Sequence, residues 1–149
     1  MTPTKDELIA MAKATAEKYQ LDPVLFCGIV AQESDWNPWA IRYEPAFFSQ
    51  YIATMWVNRK LTDITEAYGR AFSWGLCQTM GEVAREIGYT GPFAQLCEPE
   101  TGLDVGARVF FRKLTRADGN VRNALLAWNG GDAKDYPDQV LAKAEQFKT

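Results

Sequence analysis

The apolar residues of the chain recur mostly at intervals of three and four, which is the period of an amphipathic helix. The first such segment follows Thr4 and Glu7, whose spacing is that of a capping box, and it continues to about residue 19. Its apolar face consists of Leu8, Met11, Ala12, Ala16 and Tyr19. The pattern therefore predicts a first helix over residues 5–19.

A second helix is predicted to begin at Asp22 and Pro23. Asp is a preferred cap, and Pro fits the first turn of a helix, where its missing N–H leaves no bond unmade. We expect this helix to reach about Ser34 and to be stopped by Asn37-Pro38, because a residue that precedes Pro avoids helical backbone angles.

Residues 45–60 predict a third helix with a wide apolar face, followed by a short polar stretch. The residues of that face are Phe48, Tyr51, Ile52, Met55 and Trp56. Two more helices are expected over residues 80–87, ended by Gly88, and over residues 99–114. The apolar stripe of the latter is Leu103, Ala107, Phe110, Phe111 and Leu114.

The C-terminal part of the chain predicts two further helices. One runs from Asn120 to Trp128 and is capped by Gly130-Gly131. The other begins at Pro137 and is expected to bury Val140, Leu141, Ala144 and Phe147. No segment alternates convincingly at a period of two, and there is no repeat or linker. We therefore expect residues 1–149 to form one compact, mainly α domain with at most a very small β element.

Composition narrows the possible chemistry. The chain has 149 residues, of which 47% are hydrophobic and 23% charged, and none is histidine. Ser-His-Asp and Cys-His nucleophiles and imidazole-rich zinc sites are thereby excluded, so acid–base work falls to carboxylates, Lys, Tyr or Cys. We expect no metal or cofactor. Cys27, Cys77 and Cys97 are predicted to be small apolar residues in a reducing environment, the alternative being a single Cys77–Cys97 bridge.

Charge and hydropathy indicate where the protein acts. The net charge is −3 and the basic residues look scattered along the sequence, so a nucleic-acid partner is not expected. No apolar run is long enough to span a bilayer, and the first residues lack the pattern of a signal peptide. We expect a protein made in the cytoplasm that reaches any external target by another route or after loss of a leader.

One carboxylate interrupts an apolar stripe. On the second helix Phe26, Ile29 and Val30 form the apolar face, and Glu33 takes its next position. A buried carboxylate either has a cationic partner or remains neutral through a raised pKa, and a neutral carboxylic acid can protonate a glycosidic oxygen. The alternative is that Glu33 lies in an exposed last turn and has no function.

Five segments in order resemble the signatures of the lytic transglycosylase and goose-type lysozyme family. Residues 31–40 contain Q-E-S-D-W-N-P, and residues 73–80 read S-W-G-L-C-Q-T-M, similar to G-L-M-Q-x-M. Residues 98–108 and 124–131 resemble the D-P-x-x-N-I-x-x-G-A-R and A-L-A-A-Y-N-A-G segments, and residues 135–144 the D-Y-x-x-x-V ending. The resemblance covers residues 24–147 and implies a lysozyme-like fold.

The resemblance implies that Glu33 is the single catalytic residue. It would protonate the β-1,4 bond between N-acetylmuramic acid and N-acetylglucosamine in peptidoglycan, after which the 6-hydroxyl of the sugar attacks and leaves a 1,6-anhydro end. Tyr136 matches a tyrosine whose hydroxyl approaches the acid, the alternative being a core ring. Trp128 and Asn129 match a Tyr-Asn pair in which the aromatic ring lies beside the acid. Trp has no phenol, so any role of the family's tyrosine hydroxyl in holding the acid cannot be assigned to Trp128.

Eight residues are expected to bind substrate: Arg42, Glu44, Ser73, Gln78, Met80, Trp128, Asn129 and Tyr136. Gln78 and Met80 match groove residues, the alternatives being a loop-capping amide and core packing, and Ser73 precedes them in the same signature. Gly75 would allow either a close approach of the backbone to sugar or a tight turn. The aromatic residues beside the signatures would stack on sugars or pack in the core: Trp36, Trp39, Tyr43 and Trp74.

Two departures from the family pattern leave alternatives open. Arg42 stands where many members have serine, and the long interval between Glu33 and the second signature contains the predicted helix at 45–60, which would build one wall of the groove. An inverting muramidase would need a second carboxylate about 6.5–9.5 Å from the acid. Glu44, unless it is ion-paired to Arg42, and Asp35 are the candidates.

The Arg-Tyr-Glu-Pro stretch at residues 42–45 resembles small phage-encoded members, so we expect a phage or prophage enzyme, monomeric, that lyses the cell wall. The alternative of another class is a non-catalytic peptidoglycan-binding or structural virion protein.

Overall fold

The second helix is apolar on all sides, and the fold is built around it. In the computed structural model, which describes residues 1–149, α2 (Pro23–Ser34) packs between α1 (Lys5–Lys18) and α9 (Tyr136–Ala144), and seven consecutive residues from Leu25 to Ala31 are buried. Gly28 allows the closest approach, because a Cβ there would lie 2.8 Å from the Ala144 Cβ and the Val140 carbonyl oxygen. A helix with no polar face has to be surrounded by other elements.

Local capping chemistry sets the ends of these helices. The Thr4–Glu7 capping box is formed as predicted, and the Asp22 carboxylate accepts from the backbone N–H groups of Val24 and Leu25. Helix α2 ends at Ser34, but the expected stop at Asn37-Pro38 is wrong. Asp35 adopts a left-handed conformation at φ 48° and ends the helix before the Pro can act.

The C-terminal helices close the main core. Helix α7 (Pro99–Arg116) packs against α8 (Val121–Trp128), and a short 3₁₀ turn at Glu145–Phe147 follows α9. Two residues predicted to be buried are exposed, Phe111 at 43% and Leu141 at 40%. Each follows a fully buried neighbour, Phe110 or Val140, and a step of one residue turns a helix by about 100°, away from the core.

The segment predicted as a continuous helix over residues 45–60 is interrupted. It consists of α3 (Pro45–Phe47), a π-helical turn (Phe48–Ile52) and α4 (Ala53–Val57). Ile52 is fully buried, whereas Tyr51 and Trp56 are 52% and 38% exposed, so the wide apolar face is only partly correct. The wider π turn changes the angular spacing of the side chains, which takes them off the predicted stripe.

The structure contains one α-helix and one 3₁₀ helix that the sequence did not predict. Helix α5 (Ile64–Arg70) occupies the stretch expected to be irregular, and the Asp63 carboxylate caps it by accepting from the N–H groups of Thr65 and Glu66. A 3₁₀ turn follows later at Phe93–Cys97. Between them, α6 (Gly81–Glu86) forms within the predicted range, and Gly88, at φ 96°, follows its end.

The structure contains one small antiparallel sheet, in agreement with the expected minor β element. Its strands are β1 (Ile41–Tyr43), β2 (Phe72–Trp74) and β3 (Thr79–Met80), in that order. The register pairs Arg42 with Ser73 and Ser73 with Met80. Directly paired residues project from the same face of a sheet, so these three form one row.

An ion-pair network fixes α5 against α6. Glu66 accepts from Arg70 and Arg85 at 3.1 and 2.7 Å, and Arg70 also reaches Glu82 at 3.0 Å. The Arg85 guanidinium lies 4.0 Å from the centre of the Phe93 ring. Because all four charged side chains are at most 26% exposed, the network is shielded from solvent more than an ordinary surface pair.

The three cysteines are free and buried, as expected of small apolar residues, and no Cys77–Cys97 bridge is formed. None of the helices has the length and apolar character needed to cross a membrane.

Gly81→Ala should destabilise the protein by about 1–3 kcal/mol, the usual cost of overpacking. A Cβ at Gly81 would overlap the Gly69 carbonyl oxygen and lie 2.9 Å from the Arg70 Cα, and backbone atoms cannot rotate away as a side chain would. Chemical unfolding measures the change. The exposed Glu86→Ala in the same helix is the control and should stay within about 0.5 kcal/mol of the parent. Equal stability of both variants would contradict the close approach.

Candidate active site

Glu33 lies in the last turn of α2 and is half-buried, so it is not the exposed helix end considered as an alternative. The Trp128 indole Nε1–H donates to Glu33 Oε1 at 3.0 Å. The Tyr136 hydroxyl donates to the same oxygen at 2.5 Å. Oε1 is therefore held by two donors, while Oε2 has no hydrogen bond to the protein.

The two donors come from the facing ends of consecutive helices. Trp128 is the last residue of α8 and Tyr136 is the first of α9. Gly130 and Gly131 connect them with φ angles of 82° and 83°, a left-handed backbone that glycine adopts without strain. The predicted Gly-Gly cap therefore also turns the chain so that both donors meet the same carboxylate.

Burial controls the electrostatics of the site. It raises the pKa of Glu33 above the ordinary carboxyl value, and the hydrogen bonds from Tyr136 and Trp128 act in the opposite direction. No cation forms an ion pair with Glu33. Burial and the nearby charge of Glu33 also raise the pKa of Tyr136, so its hydroxyl remains a donor. The arrangement retains a proton on Glu33 more readily than on an exposed carboxyl.

The second signature forms a turn near Glu33, since burial and the charge of Glu33 together raise the pKa of its Cys77 thiol. Gly75 has φ 70°, and a Cβ there would overlap the Leu96 carbonyl oxygen, so this glycine serves a tight turn and the close packing of two backbone segments. Gln78 Nε2 donates to the carbonyl oxygens of Ala40 and Gly75 at 2.9 and 3.0 Å. The loop-capping alternative thus describes its amide nitrogen, whereas its Oε1 accepts no bond from the protein.

The sheet places several predicted substrate residues together. Arg42, Ser73 and Met80 share one cross-strand row, and the Ser73 hydroxyl donates to the Met80 sulfur at 3.1 Å. Arg42 forms an ion pair with Glu44 at 3.1 Å, with its own side chain 74% exposed. Glu44 is therefore engaged in the ordinary ion pair considered as one of its alternatives.

The remaining candidates divide between core and surface. Trp36 is buried against Phe147 with ring centres 5.5 Å apart, which makes it a core residue. Trp39 is 60% exposed. Tyr43 and Trp74 each lie against Phe72, with ring centres 5.2 and 5.5 Å apart.

Asn129 follows Trp128 and is half-buried, and its side chain makes no hydrogen bond to the protein. Asp35 is exposed in its left-handed turn. No group of three or more His, Cys, Asp or Glu side chains is arranged to hold a metal ion.

The hydrogen bond from Trp128 to Glu33 is a feature of the candidate site that the sequence did not predict. The resemblance treats the change from Tyr to Trp as the loss of a phenol. The indole instead supplies an N–H that reaches the carboxylate. The signal was present in the chemistry of the side chain, because a buried Trp normally finds an acceptor for its N–H.

Comparison with known families agrees with the geometry. A family model described as Transglycosylase SLT domain matches residues 10–148 of the chain. No solved structure matches it significantly.

Glu33→Gln should be more stable relative to the parent at about pH 8 than at about pH 4. A carboxyl whose pKa is raised by folding binds its proton more tightly in the folded state. The folded parent protein therefore loses stability as the pH rises above the ordinary carboxyl pKa of 4.5. The neutral amide does not titrate and escapes that loss. Chemical unfolding at both pH values measures the difference, with Glu86→Gln as the control for removing one exposed carboxylate. A difference that shrinks with rising pH would contradict the raised pKa.

Proposed function

The chain belongs to the transglycosylase SLT domain family of peptidoglycan-cleaving enzymes, and we propose that Glu33 is both the acid and the base of that cleavage. The observation that carries the proposal is the pair of hydrogen bonds on Glu33 Oε1. Because both donors occupy one oxygen, the proton of the neutral acid resides on Oε2. Oε2 is therefore the atom that exchanges protons with the substrate.

The first step is cleavage of the glycosidic bond. Oε2–H protonates the oxygen between N-acetylmuramic acid and N-acetylglucosamine as the bond from that oxygen to the anomeric carbon breaks. The leaving sugar gains a hydroxyl, and Glu33 becomes a carboxylate. Trp128 and Tyr136 stabilise this new charge without moving, because their hydrogen bonds already point at Oε1.

The second step uses the same carboxylate as base. Oε2 takes the proton of the 6-hydroxyl of the muramic acid while that oxygen bonds to the anomeric carbon. This closes a 1,6-anhydro ring and returns Glu33 to its neutral form. The nucleophile belongs to the substrate, so one carboxylate suffices. The engagement of Glu44 with Arg42 supports this route over an inverting muramidase that would activate water.

Substrate binding is proposed for the groups near this carboxylate that have unused hydrogen-bonding capacity or exposed surface. Gln78 Oε1 and the Asn129 amide can bind the acetamido groups, and Arg42 and Met80 can contact the sugars. Ser73 is buried and can act only through its bond to the Met80 sulfur. We further propose that residues 1–149 form one monomeric catalytic domain, since α1 and Phe147 share the same core cluster. A phage origin remains part of the proposal on the strength of the Arg-Tyr-Glu-Pro stretch.

Glu33→Gln should abolish the release of soluble muropeptides from purified cell walls, a loss of at least about a hundredfold, since no other group can donate the proton. Mass spectrometry of the parent's products should show 1,6-anhydromuramic ends. Glu44→Gln is the matched control and should keep the parent's products and most of its rate. Reducing ends that disappear in Glu44→Gln would indicate the muramidase instead. Wall binding without any release by the parent would indicate the non-catalytic alternative.

Trp128→Phe should lower the cleavage rate roughly tenfold at neutral pH, because it removes a hydrogen bond to a charged group and keeps the ring. Losing this donor raises the pKa of Glu33 further, so the alkaline limb of the pH–rate profile should move to higher pH. Tyr89→Phe is the control, because it removes a hydroxyl bonded to the Pro92 carbonyl oxygen and leaves the site intact. An unchanged profile in Trp128→Phe would show that the indole N–H does not tune the acid.

A further inference from the structure

Helix α7 gathers basic residues that look scattered in the sequence. Arg108, Arg112 and Arg116 recur at intervals of four, which places them along one side of the helix, and Lys113 adjoins them. No acidic residue occurs between Val105 and Ala117. We name these four side chains the α7 basic face. The impression of an even spread of positive charge is therefore wrong for the folded protein.

The α7 basic face is only partly neutralised by the rest of the protein, since Asp104, one turn before Arg108, interacts with the charge of that arginine. None of its four residues forms an ion pair, whereas Lys18 and Arg122 pair with Asp104 and Asp138. The face carries four positive charges in a chain whose net charge is −3, so the remainder carries −7. A positive surface on an acidic protein attracts anions locally even though the molecule as a whole repels them.

A favourable interaction with the helix dipole accounts for only two of the four cations. Lys113 and Arg116 lie in the last turn of α7, where cations favour the exposed carbonyl end of the helix. Arg108 and Arg112 lie further inside the helix, where that effect has faded. One Arg108 nitrogen donates to the Ile87 carbonyl oxygen, and Arg112 Nε is buried without an acceptor. The interior arginines therefore have hydrogen-bonding capacity that the fold does not use.

The other side of α7 supports the active site. A Cβ at Gly106 would overlap the Cys77 sulfur, and the Phe110 ring meets the Trp128 ring at 5.8 Å. The helix thus packs against the candidate site on one side, and the α7 basic face lies on another, with Arg116 exposed and the other three cations half-buried. A ligand on the basic face would not displace any group that holds Glu33.

We propose that the α7 basic face binds the carboxylates of peptide stems in peptidoglycan, as a second contact with the wall apart from the catalytic groove. The inference rests on the family's substrate and not on the role of Glu33. Arginine forks match carboxylates in a two-point geometry. Phe111, 43% exposed, is the only large apolar side chain exposed on α7, which gives a bilayer little to bury and favours the wall as the source of the anions.

The test compares co-sedimentation with insoluble peptidoglycan, using Glu33→Gln as the common background so that the wall is not consumed. The charge variant is R112Q/K113Q/R116Q, and the matched control is K5Q/R122Q/K148Q, which removes three exposed cations elsewhere. The charge variant should weaken binding at least about tenfold at low ionic strength, and added salt should abolish the difference. The control should bind like the background protein, and thermal unfolding verifies that both variants fold.

Two further arms identify the anion. Peptidoglycan whose carboxylates have been amidated should bind the background protein as weakly as untreated wall binds the charge variant. Vesicles of equal parts phosphatidylglycerol and phosphatidylcholine should bind less than wall. Equal binding by the charge variant, undiminished binding to amidated wall, or stronger binding to vesicles would each overturn the proposal. Continued cleavage by Glu33→Gln would overturn the proposed catalytic role alone, because the binding comparison shares one background.

Discussion

The structure depends on the convergence of two hydrogen-bond donors on one oxygen of a partly buried carboxylate. Desolvation alone would make Glu33 a costly residue to fold, and a cationic partner would neutralise the cost by keeping it ionised. Trp128 and Tyr136 are neutral donors, so they neither leave the carboxylate unpartnered nor supply a positive charge. They stabilise the charged form by hydrogen bonding without adding positive charge, so both protonation states remain accessible to the same side chain. The proposed mechanism depends on this balance, because in it Glu33 acts first as an acid and then as a base.

That convergence requires three helices to meet at one point, and close packing supplies the precision. Helix α2 delivers Glu33, and it approaches α9, which delivers Tyr136, because Gly28 removes the side chain that would separate them. The carboxylate is placed by a helix that is buried on all sides and cannot shift independently. The packing of this core, rather than contacts within the site, therefore sets the hydrogen-bond distances from Trp128 and Tyr136 to Glu33.

The sequence predicted the helices of the core, most of their caps and the partial burial of Glu33, because local spacing and the break in an apolar stripe contain that information. It did not predict the π turn at Phe48–Ile52. For Gln78 the sequence offered the loop-capping role as an alternative but not its partner, because the Ala40 carbonyl oxygen lies 38 residues away along the chain. The cap of α5 was readable in Asp63 and Glu66, whose spacing resembles that of a capping box. The meeting of Arg42, Ser73 and Met80 required strand register, which short strands do not specify.

The indole of Trp128 differs from a phenol in its hydrogen-bonding capacity. A phenol can donate or accept, so beside a tyrosine either carboxyl oxygen could bear the proton. An indole N–H only donates. With Trp128 on Oε1, a proton on that oxygen would oppose a fixed N–H, and the neutral acid is confined to Oε2. In the proposed mechanism Trp128 therefore excludes an alternative protonation state of Glu33, and proton transfer runs through Oε2 alone.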